Sequence, residues 1–162
     1  MRVKTRSIIP AVIVLSAAVL SLQWLTGQET GGSGDNPDAR PPVTKSDLEI
    51  VKRAGEILNS PSKWNRADTR VCPADANSFS LYCALERATY EVTGKFEHRG
   101  AAMQEARFLI DDIAPNRRNY HHLLKDYSND PATTFADVQK FFRLLQDRIA
   151  TRLKEESQSH NH

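Results

Sequence analysis

Scarcity is the first guide to this sequence. Its 162 residues hold two cysteines, Cys72 and Cys83, too few for a disulfide-built scaffold and not spaced like a zinc knuckle. Neither sign of charge prevails: 22 Lys and Arg face 20 Asp and Glu, for a net +2. Without Arg2, Lys4 and Arg6 the balance is 19 against 20, or −1. Such a chain has no electrostatic footprint for nucleic acid, and none is expected as a partner. Glycine-rich phosphate loops, HExxH, paired CxxC and GxSxG motifs are absent, so the sequence implies no metal and no cofactor. The GGSG at 31–34 has neither a strand before it nor a helix after it, as a nucleophile elbow requires.

What is present begins with a membrane-directed segment over residues 1–26. A basic head, Met1 to Arg6, precedes an apolar run at residues 8–25 interrupted by Ser16, Ser21 and Gln23. As a helix that run spans about 27 Å, enough for the roughly 30 Å hydrocarbon core, and Trp24 falls where an interfacial aromatic belongs. A single membrane-spanning helix fits. A cleaved signal peptide is the alternative, with Val19-Leu20-Ser21 as an acceptable cleavage site. Either way the basic head stays cytoplasmic and the rest is exported, as a single-pass protein with an extracytoplasmic domain or as a secreted one. Residues 27–43 read as a flexible linker, since residues 26–43 hold four of the seven glycines and three of the eight prolines.

Residues 44–154 read as an all-α domain, a compact bundle of about five helices. Ser46 with Glu49 has the capping-box spacing, and Leu48, Ile50, Val51, Ala54, Ile57 and Leu58 share one face of the helix that follows, up to Asn59. The central helix is expected from Ser78 to Gly94. Leu81, Ala84, Leu85, Ala88 and Val92 form one stripe there, and Phe79, Cys83 and Tyr90 a second nearly opposite, the pattern of a buried helix. Arg87 and Glu91 are spaced to pair. A third helix is read over Glu97 to Ile113, a shorter one over Asn119 to Tyr127, and a last one opened by Thr134 and Asp137 that buries Phe135, Val138, Phe141, Phe142, Leu145, Ile149 and Leu153. The polar residues 155–162 read as a disordered tail.

Candidate chemistry is thin. Trp64 is the one large apolar anchor in the irregular stretch after Pro61, a core plug or a stacking surface for a ligand. Phe108 projects to a charged face, either as a covered contact or as a partner site. His122 and Asp126, at i and i+4, share a helix face, and Asn129-Asp130-Pro131 is a turn whose polar groups can also edge a pocket. In an oxidising compartment Cys72 can reach Cys83 and staple the intervening loop; otherwise Cys83 is a small buried hydrophobe.

The order Trp64, Cys83-Ala84-Leu85, Asn129-Asp130, Thr134 and Asp137-Val138 resembles a bacterial family of short all-helical domains of unknown function. The resemblance spans roughly residues 47 to 153. Tyr82 stands where that family often has tryptophan, and Glu86-Arg87 replaces its Gly-Ala. It implies a compact helical fold and supplies no activity. The leading functional expectation is a membrane-tethered domain that binds a partner protein or small ligand without turning it over, with Trp64, Phe108, Asn129 and Asp130 as binding residues. The alternative is a small metal-dependent or hydrolase-like enzyme in which Asp130, His122 and Asp126 converge. A third reading is self-association through Phe108 and the last helix.

Overall fold

The computed structural model describes residues 38–159, and the expected span at residues 8–25, residues 27–37 of the linker and the final three residues lie outside them. Five α-helices make up the described part: α1 Lys45–Ile57, α2 Leu81–Thr93, α3 Ala101–Ile113, α4 Leu123–Asn129 and α5 Phe135–Ser159. No strand occurs among the described residues, only an isolated bridge pairing Trp64 with Phe79. None of the described helices is long and apolar enough to cross a membrane.

The periodic apolar residues meet in one core. Val51 and Ala54 from α1 and Leu58 at its C-terminal cap, Leu81, Leu85 and Ala88 from α2, Met103, Ala106 and Ile110 from α3, and Phe141, Leu145 and Ile149 from α5 are all closed to water. α1 packs on α2 and α5, while α3 packs on α4 and α5. On α2 the first stripe is buried only as far as Ala88. Val92 and Tyr90 emerge, 37% and 51% exposed, so of the second stripe only Cys83 is buried.

Four of the five helix starts differ from the sequence expectation, each for a local reason; α5 is opened by Thr134 and Asp137 as expected, Thr134 N–H donating to Asp137 Oδ2 (2.9 Å) and Asp137 N–H to Thr134 Oγ1 (3.2 Å). α1 is capped by Thr44 and Asp47, not by Ser46 and Glu49: Thr44 N–H donates to Asp47 Oδ2 (2.8 Å) and Asp47 N–H to Thr44 Oγ1 (3.4 Å). A tertiary bond selects this register, because Asp47 Oδ1 also accepts the N–H of Ala102 at the start of α3 (3.0 Å). α2 begins after Ser80 rather than Ser78, since the 78–79 backbone is extended: Phe79 N–H donates to Lys63 O and Phe79 O accepts from Asn65 N–H. Gly94 ends α2 in the left-handed region at φ 76°. α3 starts at Ala101, with residues 95–99 forming a separate bent segment before Gly100. The helix expected at 119–127 is displaced to Leu123–Asn129, because the Asp126 carboxylate accepts the N–H groups of both His121 and His122 (2.7 Å each) and so closes a helix end there.

Both ends of the domain are more ordered than their composition suggests. Residues 39–43, expected as linker, lie against α3 and α5: Gln104 Nε2 donates to Ala39 O (2.8 Å) and Arg152 to Pro41 O (3.3 Å). α5 continues to Ser159, into the stretch expected as a tail, because Glu156 accepts from Arg152 (2.6 Å) and from the N–H of Val43 (3.0 Å).

Glu105 of α3 connects these parts. Its carboxylate is fully buried and receives Arg40 (3.1 Å), Arg148 (2.7 Å) and Arg152 (2.5 Å). Breaking one partner of a buried ion pair leaves the rest uncompensated, at a cost of about 3–5 kcal/mol. Glu105→Ala should therefore lower the urea-unfolding free energy by at least ~3 kcal/mol, whereas Arg40→Ala, at the half-exposed position, should cost under about 1 kcal/mol. Equal and small losses in the two variants would show that the clamp does not hold the fold.

Candidate functional site

The Asn129-Asp130-Pro131 turn is held by its neighbours rather than held out to solvent. Asp130 Oδ2 accepts from the Tyr120 hydroxyl (2.6 Å) and Asn116 Nδ2 (2.8 Å), and Oδ1 accepts the N–H of Ala132 (2.8 Å). No helix begins at Pro131; the Asp130 side chain closes a turn instead. These bonds, the tyrosine's first, keep the Asp130 carboxyl below the usual carboxylate range, and burial together with the same bond raises the Tyr120 phenol. Arg66 donates to the carbonyls of Asp130 (2.7 Å), Pro131 (3.1 Å) and Thr133 while its guanidinium lies 5.2 Å from the Trp64 ring centroid. Trp64, half-buried, donates from Nε1 to Ser128 Oγ (3.3 Å) and packs on Phe135. It joins the irregular stretch to α4 and α5.

Asp130, His122 and Asp126 are given three different tasks. Asp126 is spent on the N–H groups that precede α4, and Asp130 on Tyr120 and Asn116. The His122 side chain edges a cleft, while Asp130 lines another cavity with Tyr127 and Lys140. Phe108 is half-buried under the Arg40 guanidinium, 4.7 Å from its ring centroid. Asn129 faces the 65–80 stretch, accepting the N–H of Asp68 (2.7 Å) and donating to its carbonyl (3.0 Å). Cys72 and Cys83 are bonded, tying that stretch to α2.

The cleft edged by His122 is what the sequence did not disclose. It encloses about 330 Å³ between the N-terminal half of α2, the bent segment before α3, α3 itself and the residues leading into α4. Its walls carry five permanent cations, Arg70, Arg99, Arg107, Arg117 and Lys125, against the carboxylates of Asp38 and Asp111. Asp111 is paired with Arg117. Arg107 donates only to neutral groups among its described bonds: the His98 carbonyl (2.9 Å), Gln104 Oε1 (2.6 Å) and the His98 ring. Burial, reinforced by the Arg99 charge, pushes the Arg107 guanidinium down to about 10. Burial and the nearby arginines, Arg107 foremost, also lower His98 below its ordinary value. Arg99 donates to Gln104 Oε1 (3.4 Å), and its buried Nε has no acceptor among the described residues. Tyr82 and Tyr120 supply aromatic walls.

No sequence motif announces this cleft, because its five cations come from five separate segments of the chain. The one local signal is the His98-Arg99 pair before Gly100, with Arg107 eight residues on, in the second turn of α3. No grouping of His, Cys, Asp and Glu suited to a metal ion occurs among the described residues.

No curated protein and no solved structure matches the chain. A family match covers residues 42–148, from the end of the strap that leads into α1 to the Arg148 position of α5. The helical core apart from Ile149, and the cleft walls from Arg70 to Lys125, fall within it, and the chain belongs to the family of unknown function DUF6197.

Proposed function

We propose that this domain is a non-catalytic binding module that takes a small oxyanionic ligand, phosphate- or carboxylate-bearing, in the Arg99–Arg107 cleft. The observation that carries the reading is a half-buried guanidinium, Arg107, with no carboxylate among its described bonds, beside a buried Arg99 Nε with no acceptor among the described residues. A buried cation is ordinarily paired, so walls this rich in guanidinium favour an arriving anion. The volume, about 330 Å³, lies at the lower end of the range for small-ligand sites. The aromatic walls add apolar surface for the rest of such a ligand.

The placement we propose is extracytoplasmic. It is supported by the bonded Cys72–Cys83 pair, since disulfides persist in oxidising compartments, and by the basic head and apolar run at residues 8–25. An anchor there would hold the cleft near a membrane face; cleavage would release it.

Titration calorimetry of the full-length protein in mild detergent with inorganic pyrophosphate tests the reading. Binding should weaken with salt, and Arg107→Gln should lower affinity by roughly tenfold or more, the scale of one lost charge-assisted contact. Absence of binding by the unaltered protein to both pyrophosphate and citrate would sink the proposal.

The pH dependence has a defined sign. His98 is held below its ordinary pKa by burial and by its cationic neighbours. An anion opposes that charge and raises the pKa, so binding takes up a proton. Affinity should therefore rise as pH falls from 7.5 towards 6, and His98→Gln should flatten the profile. A profile already flat in the unaltered protein would remove His98 from the site.

A further inference from the structure

We infer that the Cys72–Cys83 disulfide and the Asn129 side chain are positioning groups for Arg70, so that anion capture in the cleft depends on the thiol–disulfide state of the domain. The inference rests on the anion-binding reading and adds a regulation to it.

Arg70 is the described non-glycine residue with a left-handed backbone, φ 62°. For an arginine that geometry is unfavourable and persists only where neighbours enforce it. Two restraints do so, one on each side. Before Arg70, Asp68 Oδ1 accepts the Arg70 N–H (2.7 Å), and Asn129 grips both backbone groups of Asp68. After it, Cys72 is bonded to Cys83 of α2, the two Cα atoms 5.3 Å apart. Between these ties, Thr69, Arg70 and Val71 are exposed, with Val71 71% open to solvent. No apolar packing holds the turn.

The restraints aim the side chain. Tyr82 precedes Cys83 on α2, and the Arg70 guanidinium lies 5.4 Å from the centroid of its ring, facing the cleft. Arg70 is thus the cleft cation supplied by a strapped segment, whereas Arg99 and Arg107 come from α3 and the bend before it. Loss of either strap leaves its charge in place in the chain and removes its position.

The chemical step is a thiol–disulfide exchange with a dithiol reductant. A reductant thiolate attacks Cys72 Sγ, the more exposed partner; the Sγ–Sγ bond breaks and the Cys83 thiolate leaves and takes a proton. The reductant's second thiolate attacks its own mixed disulfide, releasing Cys72 as a thiol and closing the reductant's ring. Two electrons and two protons pass from the reductant to the cysteine pair.

The test compares pyrophosphate binding by the full-length protein, oxidised and after dithiothreitol, with Cys72→Ser/Cys83→Ser, Asn129→Ala and Arg70→Ala alongside. Reduction and the double serine variant should each weaken binding roughly tenfold, the scale of one charge-assisted contact. Asn129→Ala should weaken it with the disulfide intact. Arg70→Ala should weaken it to the same level and make it indifferent to reduction, a result that general loosening of the fold would not produce. Far-UV circular dichroism checks that reduced protein stays folded; should it unfold, the Asn129→Ala arm decides, and unchanged binding there overturns the inference. Equal binding by oxidised and folded reduced protein overturns it also, as does an Arg70→Ala protein still sensitive to dithiothreitol. If the oxidised, unaltered protein binds neither pyrophosphate nor citrate, the anion reading fails and takes the inference with it; should it bind citrate alone, the same comparison is read with citrate.

Discussion

The Glu105 carboxylate has no contact with water, and the rest of the domain is arranged to satisfy it. Arg152 and Arg148, one turn apart on α5, take its two oxygens separately, while Arg40 arrives from the strap ahead of α1. Replacing such a group by an apolar one of equal volume need not cost stability, so its net contribution is smaller than the bonds suggest. What it determines is register. A slide of α5 by one residue would turn both arginines away from Glu105 and the Phe141, Leu145 and Ile149 stripe away from the core, so the directional ion pairs and the apolar contacts select the same register. Asp47 acts in the same way one turn earlier on α3, capping α1 with one oxygen and fixing the Ala102 N–H with the other.

α3 is consequently held on one side by an anion that is fully compensated, and on the other it presents Arg107, which meets no carboxylate among its described bonds. Glu105 and Arg107 are two residues apart, about 200° around a helix, so the face clamped to α5 and the face lining the cleft are nearly opposite. The clamp therefore preorganises the cleft without entering it. Gln104 supports the same arrangement from between them, accepting from Arg99 and Arg107 with its oxygen and donating to the Ala39 carbonyl with its nitrogen. A site whose cations are fixed before the ligand arrives loses little side-chain entropy on binding, which is the advantage of placing it on a helix rather than on a loop.

The parts legible in the sequence were those that depend on periodicity. Leu81, Leu85 and Ala88, Met103 and Ile110, and Phe141 to Ile149 went to the core because a helical repeat of apolar residues has one economical use. Helix starts were less legible, since capping patterns overlap: Thr44-Asp47 and Ser46-Glu49 both have the spacing, and the choice is made by Ala102, far away in the chain. Gly100 and Asp126 likewise set starts through the turn before a helix, where periodicity carries no information. Trp64 was legible as an anchor, though its partner Ser128 was not. The cleft was hidden for a stronger reason: net charge sums over the molecule, and a near-neutral chain conceals Arg99 and Arg107 on one side and Glu105 on the other.

The irregular stretch after Trp64 shows how those distant contacts act together. Long connections without helix or strand are uncommon in compact domains unless something holds them or uses them. This one is fixed at Trp64 against Ser128, at Asp68 by Asn129 and at Cys72 by Cys83. A stretch needing only to be kept down would be covered at its middle by apolar side chains, yet Val71 is exposed and the restraints sit on either side of Arg70. That distribution holds the ends and leaves the centre accessible, the arrangement expected of a loop that carries a side chain to a site. The left-handed turn at Arg70 belongs to the same logic, since a strained backbone persists only where surrounding bonds outweigh its cost.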